Sequence, residues 1–203
     1  MTSILLVQGT WGGTWAREGT PFRQMLAAQH VTTLEPFEWS YDLSGVLTWM
    51  GRTHSDWIAG GAALTYYLRG LPYEQRNVIA HSHGGQVAAY AAAHSDCWIR
   101  RLITVSTPVR KDMQDTWAQA RPNIGAWTHV AAKRGDWMIR LGELFDGAFG
   151  WTRQMPSADR NLIFPNIGHT GLFTDQQYFH HWPPLLDLLS DTYGVRRCPP
   201  TMR

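Results

Sequence analysis

The stretch that decides the fold runs from Asn77 to Ala93. It reads Asn77-Val78-Ile79-Ala80, then His81-Ser82-His83-Gly84-Gly85, then Gln86-Val87-Ala88-Ala89-Tyr90-Ala91-Ala92-Ala93. A short apolar run of strand length leads into a serine flanked by small residues, and a segment rich in strong helix formers leaves it. The pattern predicts a strand, a sharp turn and a helix, with Ser82 at the tip of the turn. Reversing the chain within so few residues strains the serine backbone and leaves no room for side chains two positions to either side. Ala80 and Gly84 occupy those positions, and Gly85 lets the following helix lie close on the strand. The helix start then sets N–H groups and the positive end of the helix dipole beside Ser82, where an oxyanion would develop.

With Ala80 leading it, His81-Ser82-His83-Gly84-Gly85 resembles the nucleophile elbow of α/β-hydrolases, and the form with histidine on both sides of the serine is similar to that of lipases and esterases. Alanine takes the place of the first glycine of the general G-x-S-x-G pattern. The resemblance implies a three-layer α/β-hydrolase fold: a mostly parallel central sheet, helices on both faces, and little or no lid. It also implies a serine hydrolase that cleaves carboxylic esters. The pentapeptide alone fits equally a buried serine that caps a helix beside a glycine turn, so the rest of the chain decides.

A chain of 203 residues, 44% of them hydrophobic, suits a single domain over residues 1–203 with a sizeable core and little length for an inserted lid. A net charge of +2 does not suggest nucleic acid as a partner, and the basic ending at Arg196, Arg197 and Arg203 reads as a solvated part of a loosely ordered tail over 195–203. Cys97 and Cys198 are too few for a disulfide framework, although one bridge stays open. Ile4-Leu5-Leu6-Val7 meets Gln8-Gly9 at once, which is no signal peptide, and no segment has the length of a membrane span. The expectation is a soluble, cytoplasmic protein whose oligomeric state is not indicated. Of the eleven tryptophans, most are expected in the core and a minority along an apolar cleft.

Ser3 to Val7 reads as a buried strand that ends in Gln8-Gly9-Thr10-Trp11-Gly12-Gly13. A glycine-rich turn after a strand suits a phosphate, but neither G-x-G-x-x-G nor Gly-Lys-Ser/Thr is present. The turn is similar to the His-Gly oxyanion turn of α/β-hydrolases, with Gln8 where the family usually has the histidine that helps fix the loop. The resemblance implies an oxyanion hole made by the backbone N–H of Thr10 or Trp11 together with that of His83. A connection with no catalytic role is the competing reading. Pro21 to His30 predicts a helix, Val31 to Trp39 the next strand, and Ser40 to Thr53 a loop at that strand's carboxyl end. Loops there surround the ligand in open α/β sheets, so Tyr41 and Trp49, with Trp11, are candidates for the acyl-binding wall. Packing of the loop aromatics over the helices explains them equally. His54 to Leu71 predicts a helix and Arg101 to Ser106 a strand, while Val109 to Gly125 reads as either a short helix or a reduced cap.

Ala126 to Lys133 predicts a further strand, closing in Arg134-Gly135-Asp136-Trp137. The family places its acid in such a turn, and its chain order of serine, acid and histidine is matched by Ser82, Asp136 and His169. Asp112, Asp115 and Asp146 compete for the acid's role, and Asp136 also suits the cap of a helix over 137–145. Asn161 to Phe164 predicts the last strand, followed by Pro165-Asn166-Ile167-Gly168-His169, where the resemblance implies the catalytic base. His180 and His181 are its rivals, within a closing helix from Asp175 to Asp191 that Pro183-Pro184 interrupts. Acyl-enzyme chemistry on Ser82 needs neither a metal nor an organic cofactor, and the expected partner is a small-molecule ester. His81 and His83 could offer two imidazoles to a metal, yet no third ligand stands at a suggestive spacing and no H-E-x-x-H occurs. Two further readings stay open. One is a non-catalytic binding protein on the same fold, its oxyanion loop eroded at Gln8; the other is a thioesterase, amidase or acyltransferase, each of which shares the acyl-enzyme.

Overall fold

Each of the six strands expected from the sequence forms: β1 (Thr2–Val7), β2 (Val31–Thr33), β3 (Asn77–His81), β4 (Ile99–Val105), β5 (Ile124–Arg134) and β6 (Arg160–Asn166). The structure is a computed structural model that describes residues 2–10, 13–39, 54–94, 97–139 and 153–189. The strands form one sheet in the order β2-β1-β3-β4-β5-β6, and every pairing is parallel. Parallel neighbours need crossovers, and helices α1 (Pro21–Ala28), α2 (His54–Arg69), α3 (Gly84–Ala93) and α4 (Gln114–Ala120) supply them between the strands. After β6 come α5 (Gly171–Thr174), a 3-10 turn over Gln176–His181 and α6 (Trp182–Asp187).

Alternation along the strands divides the core in two. Leu5, Val7, Val78, Ala80, Leu102 and Trp127 face Trp57, Leu64 and Leu68 of α2, Val87 of α3, and Trp117 of α4. Ile4, Leu6, Ile79, Ile103, Val105 and Val130 face Phe22 and Leu26 of α1, Phe173 of α5 and Trp182 of α6. Burial on both faces is why β1 and β3 read as near-continuous apolar runs rather than as alternating ones. Trp57, Trp117, Trp127 and Trp182 are fully enclosed, whereas Trp137 is 62% exposed.

Two boundaries differ from the sequence reading, and one segment it left open is decided. The strand expected over Val31 to Trp39 has only three residues of regular pairing, because Pro36 offers no N–H to the ladder. Its continuation still lies along β1 through Leu34 N–H to Ile4 O and Phe37 N–H to Leu6 O, each 2.8 Å. The open segment from Val109 to Gly125 is a crossover helix and not a cap, since Met113, Trp117 and Ala120 are buried in the α2–α3 side of the core. Pro183 and Pro184 begin α6 in its first turn, where a missing N–H costs nothing. The break falls before them, where the side chain of Asp175 accepts from Gln177 N–H and opens the 3-10 turn. The expected tail over 195–203 lies outside the described residues. Among those described, no helix is long and apolar enough to cross a membrane.

Candidate active site

Ser82 stands at the carboxyl end of β3 with φ 53°, the left-handed region that an L residue occupies only under constraint. The constraint is visible on both sides. Ser82 N–H donates to Val105 O of β4 at 2.9 Å, and Ser82 O accepts from Gly85 N–H at 3.0 Å. A Cβ on Gly84 would come within 2.5 Å of Gln8 O and 2.8 Å of Val7 O, and a Cβ on Gly85 would drive into the Thr107 side chain. The two glycines therefore let α3 start hard against the ends of β1 and β4, and this close approach lifts Ser82 to a partly exposed tip.

The loop after β1 passes directly over this elbow. A Cβ on Gly9 would lie 3.0 Å from Ser82 Cβ, so only a glycine backbone fits between the loop and the serine. Gln8 is buried and does anchor the loop, though through its carbonyl, which accepts from Trp39 Nε1 at 2.7 Å; its side-chain amide donates to Glu38 Oε1 at 3.2 Å. A side-chain hydrogen bond joins Thr10 Oγ1 to His83 Nδ1, so the two described residues expected to supply oxyanion donors are tied together. Trp11, the third, and the wall candidates Tyr41 and Trp49 lie outside the described residues, as does Asp146.

At the end of β5, Gly135 has φ 89°, and a Cβ there would meet Asn166 Oδ1 at 2.7 Å and Ile167 O at 3.1 Å. The turn holding Asp136 can thus press against the loop holding His169. Both Asp136 carboxylate oxygens lie 3.0 Å from His169 Nδ1. Asp136 Oδ1 also accepts from Ile139 N–H at 3.1 Å, so the residue caps a helical turn as well as meeting the histidine. Burial pushes the Asp136 pKa up, but the hydrogen bond and charge of His169, the Ile139 N–H and the Ser106 hydroxyl together outweigh it and hold the carboxyl below its usual value. A charged carboxylate at Nδ1 leaves His169 Nε2 as the nitrogen able to take a proton. No hydrogen bond joins the Ser82 hydroxyl to His169 among the described residues.

The rival residues go elsewhere. Asp112 is paired with Arg110 through Nε (2.9 Å) and Nη2 (2.6 Å), and Asp115 is exposed on α4. His180 Nδ1 donates to Gln177 O at 2.7 Å, and its ring lies 3.9 Å from that of His181, which packs on Phe164. The histidines beside the serine diverge: His81 packs with Trp15 and Phe173 on one side of the sheet, His83 with Trp57 on the other. They therefore do not converge on one point as metal ligands would.

Two participants escaped the sequence reading. Ser106 was only the last residue of a strand, yet its hydroxyl is among the groups that lower the Asp136 pKa. The His81 side chain, 4% exposed, bonds to the carbonyl of His169 at 3.0 Å. A signal for the first existed in the sequence, a polar residue at the carboxyl end of a strand that neighbours both β3 and β5.

No family model and no curated protein matches the chain. Solved structures do. An uncharacterized protein from Bacillus cereus is 14% identical over 95% of this chain and 60% of its own, with a TM-score of 0.62. Est1E from Butyrivibrio proteoclasticus, solved with ferulic acid bound, is 13% identical over 93% and 88%, with a TM-score of 0.54. The methylesterase MES16 from Arabidopsis is 11% identical over 93% and 99%, with a TM-score of 0.52. The chain is similar to these in architecture: one parallel sheet of six strands with helices packed on it, the α/β-hydrolase fold.

Proposed function

We propose that this chain, built on the α/β-hydrolase fold, is a serine hydrolase that cleaves carboxylic esters of small molecules. The observation that carries the reading is the buried Asp136 carboxylate on His169 Nδ1, beside a serine held at φ 53° on a strand-to-helix turn. In this reading His169 Nε2 takes the Ser82 proton as Oγ attacks the ester carbonyl, while Asp136 fixes the imidazole tautomer and stabilises the imidazolium. The negative charge on the former carbonyl oxygen is met by the backbone N–H of His83 and that of Thr10 or Trp11. Collapse expels the alcohol, which takes the proton from His169, and leaves an acyl group on Ser82. Water then attacks the acyl carbon, gives its proton to the same imidazole, and releases the acid. Esterases among proteins of like fold support the reaction class.

The test is a fluorophosphonate probe together with p-nitrophenyl esters from acetate to palmitate, run beside Ser82→Ala. Stoichiometric labelling at Ser82 and turnover that vanishes in the variant are expected, with the preferred chain length sizing the acyl site. A wild-type protein that takes no label and turns over no ester would refute the reading and point to a binding protein.

A further inference from the structure

The two histidines flanking Ser82 leave it in opposite directions, and each ends on a different loop. His81 Nε2 lies 3.0 Å from His169 O. A carbonyl oxygen only accepts, so Nε2 carries the proton and Nδ1 carries the lone pair. Trp15 at 5.8 Å and Phe173 at 5.3 Å, both edge-on, fix the plane of the ring. His83 turns to the far side of the sheet, where Thr10 Oγ1 meets its Nδ1 and Trp57 covers the ring at 5.2 Å. As the residue before α3, His83 stands where a side chain usually caps the helix, yet it makes no capping bond. Its imidazole is committed to the loop after β1 instead.

Both loops need such ties. The one after β1 holds Gly9, Gly12 and Gly13 within five residues, so its backbone has little conformational preference of its own. The one carrying His169 follows Gly168, beside which no neighbour lies close enough to limit a side chain. We infer that His81 and His83 are positioning residues: His81 holds the loop of the general base, and His83, through Thr10, holds the loop of the oxyanion donors. Both loops are thereby indexed to the one serine they serve, through side chains on either side of it. The inference rests on the ester-hydrolase reading. Burial and the nearby His169 keep His81 neutral, with its pKa down to about 3, so it braces the base without adding a positive charge beside the imidazolium.

The experiment measures kcat and KM on a p-nitrophenyl ester, and the rate of fluorophosphonate labelling, for Thr10→Val, His83→Phe, their double variant and His81→Leu. Thr10→Ser, His83→Asn and His81→Gln each restore a polar atom near the lost one. Loss of a brace should lower kcat and labelling by about tenfold to a hundredfold, the scale on which small displacements of reacting groups act. KM should stay within about twofold, because the acyl site is not what moves. The double variant should fall no further than either single one, and the polar variants should recover most of the loss. Folded Thr10→Val and His81→Gln proteins are assured by thermal melts, and they decide the matter if His81→Leu or His83→Phe does not fold. Wild-type protein that labels at Ser82 while Thr10→Val labels equally fast, or while His81→Gln is as slow as an unbraced variant, would overturn the inference alone. Wild-type protein that takes no label overturns both readings.

Discussion

Strands β3 and β4 end alike and serve differently. Each closes on a serine in the left-handed region, Ser82 at φ 53° and Ser106 at φ 50°, and each serine N–H donates 2.9 Å to the next strand, to Val105 O and Val130 O. Backbone strain therefore does not distinguish them. The residues after each serine do: His83-Gly84-Gly85 lets a helix start at once and leaves Ser82 at an open tip, whereas Thr107-Pro108 carries the chain away and leaves Ser106 at 5% exposure, where its hydroxyl helps lower the Asp136 pKa. The residues before them differ too, a histidine ahead of Ser82 and a valine ahead of Ser106, although His81 and Val105 pair in register. A strained serine at a strand end is thus a placement device, and the residues after it decide whether the side chain stands at an open tip or is enclosed.

The contrast breaks most sharply on catalysis. Ser82→Ala is expected to lower ester turnover by about a millionfold, the scale seen when a serine nucleophile is removed. If Ser106→Ala lost as much and Ser82→Ala little, the roles assigned to the two strand ends would be exchanged.

Acid sharpens the difference between the histidine and the valine ahead of the two serines. His81 on β3 and His129 on β5 are both buried and neutral, with pKa values lowered from 6.5 to about 3 by burial. Below pH 6.5 the unfolded chain gains a proton on each ring that the folded chain does not take until about pH 3. Stability is thus full above that window and falls as the pH drops through it. Between pH 7 and pH 5 the two rings should cost roughly 4 kcal/mol, read as a fall in the urea midpoint at constant slope. A midpoint that stays flat across the range would mean that the folded protein accommodates the charged rings.

The glycine after the elbow offers the next test. Gly85→Ala pushes a methyl into Thr107, the residue just past the other serine, and should destabilise the fold by about 3 kcal/mol. Thr107→Ala should recover part of that loss in a thermal melt, while Gly168→Ala, with open space around its Cα, should leave stability unchanged. Equal melting of Gly85→Ala and wild type would mean that the two strand ends do not lean on one another.

Ser106→Ala is the smallest effect. Removing its hydroxyl, the weakest of the groups that hold the Asp136 carboxyl down, should cost about 1 kcal/mol or less. The Asp136 carboxyl titrates below its ordinary 3.8, so its contribution is present above that value and is lost as pH falls through the folded pKa. Without the Ser106 hydroxyl that loss should begin at a higher pH, which acid-unfolding curves of the variant and wild type would resolve.

The layered architecture was legible because a strand buried on both faces must be apolar almost throughout, and Ile4–Val7 and Val78–Ala80 are wholly so. The elbow was legible because Gly84 and Gly85 answer a local steric demand. The meeting of Asp136 with His169 was foreseeable from strand rank, as each follows a strand that pairs with the other's. The extent of β2 and the place of Pro183 were not, because proline breaks a ladder or starts a helix according to the geometry around it. The contact of His81 with the His169 carbonyl was hidden for a different reason, since it joins two strand ends far apart in the chain.

By itself, then, the sequence determined what its nearest neighbours along the chain impose: six strands with the inner ones buried, a serine on a tight turn, glycines where a side chain would collide. Only the tertiary structure decided which strand ends lie side by side, and with that which of two equally strained serines is partly exposed, which carboxylate holds His169, and which loops the flanking histidines reach. Those choices depend on contacts between residues as far apart as Thr10 and His83 or His81 and His169, and spacing along a chain does not encode a hydrogen bond across a sheet.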